Sequence, residues 1–315
     1  MSTNAQTVTA LEAQHVLQTY KRLPVVFVRG EGTRLFDESG RGYLDFISGI
    51  GVVVLGHAHA GLAAVVADQA KTLIHTSNLY YHPLQGQLAA KLASLSGLQR
   101  SFFCNSGTEA VEACLKFARR YWYSKGVKHR TGYVALEHGF SGRTFEFQGL
   151  GWTPDLVTIG KAIGSGIPIG AALVAEHVAK EIFPGDHGTT YGGNLLSTRA
   201  AIYVLDQLSG PIAANVKAVG PVFERRLLDL QKKHPVVRSV RGAGLMRGLE
   251  LAVDAQPAID AALKAGLLVN RTAERVIRML PPLTVSVAEI DEAIGILDRA
   301  LASVPAPGSG VEVKA

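Results

Sequence analysis

The chain has 315 residues, 47% of them apolar and 18% charged, enough for a substantial core and about two domains at ~150 residues each. This composition excludes disordered, collagenous and coiled-coil chains. The formal charge of +6 comes from 32 basic and 26 acidic residues that are scattered along the chain, so no nucleic-acid partner is expected. Two cysteines, Cys104 and Cys114, exclude a disulfide scaffold and fit a reducing cytosol.

The stretch Met1 to Arg22 is polar and does not read as a signal peptide. Thr9 with Glu12 predicts a capped first helix. Val25–Val28, Thr33–Asp37 and Tyr43–Phe46, separated by glycine turns, predict a small antiparallel meander. Helices are predicted over 60–73 and 84–95. A strand at 100–104 runs through Asn105-Ser106-Gly107-Thr108 into a further helix that Gly126 closes. Short strands follow at 133–136 and 156–159, with an irregular glycine-broken stretch between them.

Residues 156–175 hold one charge, Lys161, but their glycines and Pro168 break any membrane helix. Two helices span roughly 196–208 and 211–234. Strands at 236–240, 245–251, 267–269 and 276–280 and a helix at 258–264 come next, and a Ser286/Glu289 capping box opens the last helix. From Pro305 the tail is rich in Pro, Gly and Ser and is expected to be mobile.

Five places could carry chemistry. The helix start at Ser106, Gly107 and Thr108 is either a phosphate site or an ordinary N-cap. Lys161, alone in a low-charge stretch, reads as a desolvated amine reactive towards carbonyls, or as a lysine that snorkels outward. The loop Gly188–Asn194, with Thr189 and Thr190, is an anion contact or a plain turn. Arg278 in an apolar strand needs an anionic partner, either a substrate carboxylate or a structural ion pair. Phe140 to Thr144 could stack an aromatic on a planar ring and offer Arg143 to a second carboxylate, or be only a loop. As a set, these suit pyridoxal phosphate with an amino-acid substrate.

The motifs occur in a known order. Tyr43-Leu44-Asp45-Phe46 with Leu55-Gly56-His57, Asn105 to Ala110, Phe140 to Thr144, Thr153-Pro154-Asp155 through Gly160-Lys161-Ala162 to Gly170, Thr189 to Asn194, Arg241 to Leu245 and Arg278 to Leu283 resemble the class III pyridoxal-phosphate aminotransferases, and their acetylornithine branch most of all. The resemblance implies the α/β fold type I of pyridoxal-phosphate enzymes. Its large domain has a mostly parallel sheet, here shortened, and residues 41–210 would form it. Residues 1–40 and 211–304 would form the small domain, and 305–315 a tail.

For the site, the resemblance implies that Lys161 forms the Schiff base, Ser106, Gly107 and Thr108 cradle the phosphate, and Phe140 stacks on the ring. Thr190 would reach the phosphate of the neighbouring subunit. Arg143, Thr189 and Arg278 would contact substrate. It also implies amino-acid and 2-oxo-acid substrates, with N-acetylornithine and 2-oxoglutarate foremost. Succinyl-diaminopimelate, ornithine and 4-aminobutyrate remain open as donors, as does a non-catalytic remnant. A cytoplasmic homodimer is implied, with no metal, nucleic acid or membrane.

Two departures stand out. Ser141 replaces the family's histidine after the stacking aromatic. Between the Arg143 loop and Lys161, the family's Gly-Glu-Gly-Gly turn and its Asp-Glu-x-Gln strand are absent. That aspartate pairs with the pyridine nitrogen, so its loss predicts a weaker electron sink. The segment's strands would leave their neighbours without ladder partners.

Overall fold

In the computed structural model, which describes residues 4–134 and 153–304, the chain divides into two units: residues up to 59 together with those from 210, and residues 60–209. The sequence cuts the chain at 40/41 and near 210. The contacts cut it after His59 and after Ser209, because the third meander strand pairs within the first unit.

The first unit opens with α1 (Ala5–His15), which buries no residue. Its cap is Asn4, whose side chain accepts from Gln6 and Thr7 N–H; Thr9 instead bonds back to the Ala5 carbonyl. Thr9 therefore lies inside the helix and does not cap it. The meander forms as β1 (Phe27–Glu31), β2 (Arg34–Asp37) and β3 (Gly42–Asp45). A short segment, α2 (Ser48–Gly51), follows it.

Unit two contributes α3 (Ala60–Thr72), α4 (Pro83–Ser96), β4 (Arg100–Cys104), α5 (Gly107–Ser124), β5 (Leu156–Ile159), β6 (Gly170–Val174), α6 (Glu176–Ala179) and α7 (Leu195–Leu208). Every residue of β6 is buried, as expected of a strand covered on both faces. Its side chains alternate between two clusters. Ala171 and Leu173 pack with Leu88, Leu92, Phe103, Ile159 and Ala201, while Ala172 and Val174 pack with Ala113, Phe117 and Val178.

The sheet order is β4-β6-β5, and β6 runs antiparallel to both neighbours. The expectation of a mostly parallel sheet is therefore corrected for the described strands. β4 and β5 point the same way, but β6 lies between them. Among the described residues the far edge of β5 has no partner. Tyr133 and Val134 belong to no strand, and the rest of that predicted strand lies outside the described residues.

The chain returns to the first unit with α8 (Pro211–Lys233), β7 (Val237–Ala243), β8 (Met246–Leu251), α9 (Gln256–Lys264), β9 (Leu267–Leu268), β10 (Asn270–Thr272), β11 (Val276–Met279) and α10 (Val287–Ala302). β9 adds parallel to β3, and a second sheet runs β10-β11-β8-β7. Phe223 and Leu227 of α8 and Ile290 and Leu297 of α10 close the core over Leu249 and Ile277. The Ser286/Glu289 capping box is present. Arg247, 5% exposed, donates to Glu224 and to the Gly242 and Gly244 carbonyls. Among the described residues no helix is long and apolar enough to cross a membrane.

Candidate active site

Backbone from three segments crowds the turn from β4 into α5. A β-carbon on Gly170 would meet the Ser106 carbonyl oxygen at 2.3 Å, and one on Gly192 would meet that of Phe103 at 2.3 Å. A β-carbon on Gly160 would lie 2.9 Å from the Gly107 Cα and 3.0 Å from its nitrogen. Three segments distant in sequence thus close on residues 103–107, each through a glycine, since any side chain would clash.

Ser106 caps α5, its Oγ accepting from the Glu109 N–H at 3.2 Å. The Glu109 carboxylate accepts from the Asn105 backbone N–H (2.8 Å), the Asn105 side chain (3.1 Å) and the Ser106 hydroxyl (3.1 Å). Burial pushes the Glu109 carboxyl up, but the hydrogen bonds from Asn105 and Ser106 outweigh it and hold its pKa below the usual range. Among the described residues no protein acceptor engages the N–H groups of Gly107 and Thr108. Open N–H groups at the positive end of an 18-residue helix can bind an anion.

The loop carrying Thr189 and Thr190 is tied to this turn. Thr189 Oγ1 accepts from Asn105 Nδ2 at 3.4 Å and from the Gly192 N–H at 3.2 Å. Asn78 donates to the Gly192 carbonyl and His82 to that of Gly193, so the segment before α4 holds the loop from the other side. Thr190 is exposed. Neither the glycine closures nor the Asn105–Glu109 network is apparent from residue spacing. The signal available in the sequence was a glycine in each segment.

Lys161 follows Gly160 directly, so the same close approach sets its backbone beside the α5 N-terminus. It is exposed and opens a short 3-10 turn with φ at +51°. The expectation of a desolvated lysine is corrected: the turn leaves the end of β5, and the buried members of the stretch are Ile163, Gly164 and Ser165. Arg278 lies in the first unit on β11, half-buried, with Nε donating to Asn270 Oδ1 at 3.2 Å. Phe140 and Arg143 lie outside the described residues. Burial raises both thiols, Cys104 to about 11 and Cys114 to about 12, which leaves them unreactive.

The chain matches the aminotransferase class-III family profile over residues 16–149 and 145–301, in two pieces that meet where the internal segment is missing. The acetylornithine aminotransferase of Methanocaldococcus jannaschii is 34% identical over 388 aligned residues, covering 93% of this chain and 98% of that protein. That of Gloeobacter violaceus is 36% identical over 389, covering 93% and 97%. Both alignments are longer than the chain itself, so each opens a long gap.

Among solved structures, acetylornithine aminotransferase from Elizabethkingia anophelis superposes with a TM-score of 0.85 at 24% identity, covering 96% of this chain and all of that one. N-acetylornithine aminotransferase from Stenotrophomonas maltophilia superposes with a TM-score of 0.79 at 27% identity, covering 93% and 98%. The chain belongs to the class III aminotransferases, enzymes of fold type I that use pyridoxal phosphate, and it lacks an internal segment of the large domain.

The cradle at Gly107 and Thr108 fits the phosphate of that cofactor. The ring end is different. Of the carboxylates described between Thr108 and Lys161, Glu109 is bound by Asn105 and Ser106, Glu112 pairs with Lys116 at 2.7 Å, and the exposed Asp155 pairs with His177 at 3.3 Å. Each of the three already has a partner within the protein.

Proposed function

We propose that this chain moves an amino group from N-acetylornithine to 2-oxoglutarate, as a homodimer, at a rate lowered by the missing segment. The relatives at 34% and 36% identity are acetylornithine aminotransferases, which supports that donor above others of the family. Leu79, Tyr80 and Tyr81 stand exposed before α4, an apolar patch that a second copy would cover.

Pyridoxal phosphate, when bound, supplies an electron sink for bonds at the amine-bearing carbon. The N–H groups of Gly107 and Thr108 bind its phosphate, and Ser106 shapes that cradle. Lys161 would hold the cofactor through Nζ and would move the proton at the amine-bearing carbon. Arg278 binds a substrate carboxylate, Thr189 orients the loop at the substrate, and Thr190 reaches the neighbouring subunit's phosphate. Phe140 and Arg143 are assigned to ring stacking and the second carboxylate.

The observation that supports this reading is the approach of Gly160, the residue before Lys161, to Gly107 at the start of α5. The test is acetylornithine-dependent glutamate formation by the pure chain. No glutamate above the level of a Lys161→Ala control would overturn the activity. Faster turnover of ornithine or 4-aminobutyrate would overturn the donor.

A further inference from the structure

We infer that Asp45 and His57 are positioning residues for substrate binding, holding the turn Ser48–Gly51 against the segment that follows Arg278. This rests on the reading of Arg278 as the carboxylate clamp.

All four residues of that turn are left-handed, with φ of +50° at Ser48, +62° at Gly49, +66° at Ile50 and +71° at Gly51. Such backbone is costly for L-residues and most costly for a β-branched one such as Ile50. Glycine at 48 and 50 would remove the cost. The chain keeps serine and isoleucine there, so something must hold the strain.

The holder is Asp45, 1% exposed. Its Oδ1 accepts from the Ile47 and Ser48 N–H groups, both at 2.9 Å, and its Oδ2 from His57 Nε2 at 2.8 Å. His57 is itself pinned. Its N–H and carbonyl pair with Gly32 at 2.8 and 2.9 Å, and a β-carbon on Gly30 would lie 2.6 Å from its own.

The other end of the turn reaches the Arg278 strand. Ser48 Oγ donates to the Leu280 carbonyl at 2.6 Å, and the Leu280 N–H donates to the Phe46 carbonyl at 2.6 Å. Leu280 is two residues past Arg278. A shift of the turn would therefore move the backbone on which the guanidinium is carried, while the phosphate cradle belongs to the other unit.

The experiment compares His57→Phe, His57→Gln, Ser48→Ala and Arg278→Ala in the full chain loaded with pyridoxal phosphate. N-acetylornithine and 2-oxoglutarate are titrated by calorimetry, cofactor affinity is measured separately, and amide exchange is followed at Ile47, Ser48 and Leu280. His57→Phe and Ser48→Ala should each weaken both substrates about tenfold, the size of one lost hydrogen bond, with cofactor affinity unchanged and faster exchange at those amides. His57→Gln, which restores a donor at the reach of Nε2, should recover most of the affinity.

Two results would overturn the inference: unchanged substrate affinity in His57→Phe and Ser48→Ala while Arg278→Ala loses it, or equal loss of cofactor and substrate that Gln does not restore. If Arg278→Ala changes nothing, the clamp reading fails first, and the inference falls with it.

Discussion

Gly160 lies against Gly107 so closely that a β-carbon on Gly160 would stand 2.9 Å from the Gly107 Cα. That approach joins the end of β5 to the start of α5 and fixes where the next residue, Lys161, leaves the backbone. Gly160→Ala should force the helix start away. A destabilisation of about 1–3 kcal/mol, the usual cost of overpacking, should accompany weaker cofactor binding. Thermal unfolding and cofactor titration read both. An unchanged cofactor affinity would mean that the approach does not set the cradle.

Lys161→Ala should leave the chain folded, because the side chain is exposed. It should abolish the Schiff-base absorbance of the loaded protein and the label that borohydride fixes on the chain. A variant that keeps the band would assign the attachment to another lysine.

Arg278→Ala should weaken amino-acid and 2-oxo-acid binding more than cofactor binding. The expected cost is roughly 2–5 kcal/mol for a desolvated charge pair. Calorimetric titration checks it. Unchanged substrate affinity would assign Arg278 a structural role in β11.

Glu109 gives the site a pH dependence. Its folded pKa is depressed, with burial opposing and the bonds from Asn105 and Ser106 prevailing. Its stabilisation is fully present above the unfolded value of about 4.3 and is lost as pH falls through the lower folded value. Glu109→Ala should therefore lower the melting temperature at neutral pH, and the gap to the parent chain should close in acid. A gap independent of pH would assign the effect to packing alone.

Inserting the family's missing segment after Phe145 should raise the rate by at least ~10²–10³, the typical worth of one transition-state electrostatic partner. Acetylornithine-dependent glutamate formation, measured side by side, decides it. Equal rates would mean that a group outside the segment serves the pyridine nitrogen.

Much of this protein was legible in the sequence. Amphipathic spacing gave α3, α4, α7 and α10 within a few residues, and Ser286 with Glu289 marked the cap that forms. These are local properties, set by backbone geometry within a few residues. The break between Phe145 and Thr153 was also visible, since a motif order is a property of the chain.

What spacing could not give was non-local. That β6 runs antiparallel between β4 and β5 depends on pairing, and a buried apolar run reads alike in either direction. Thr9 and Glu12 have the spacing of a capping box, yet Asn4 starts the helix, because the cap belongs to the first residue able to leave the helical backbone. A lone lysine among glycines reads as buried, but Lys161 stands exposed at the start of a 3-10 turn. The Asp45–His57 pair and the three glycines closing on residues 103–107 arise when segments far apart in sequence meet. The sequence by itself therefore determined most of the helices and the order of the family's motifs. Only the tertiary structure decided which segments press together, because close packing, not local propensity, selects a glycine at each contact.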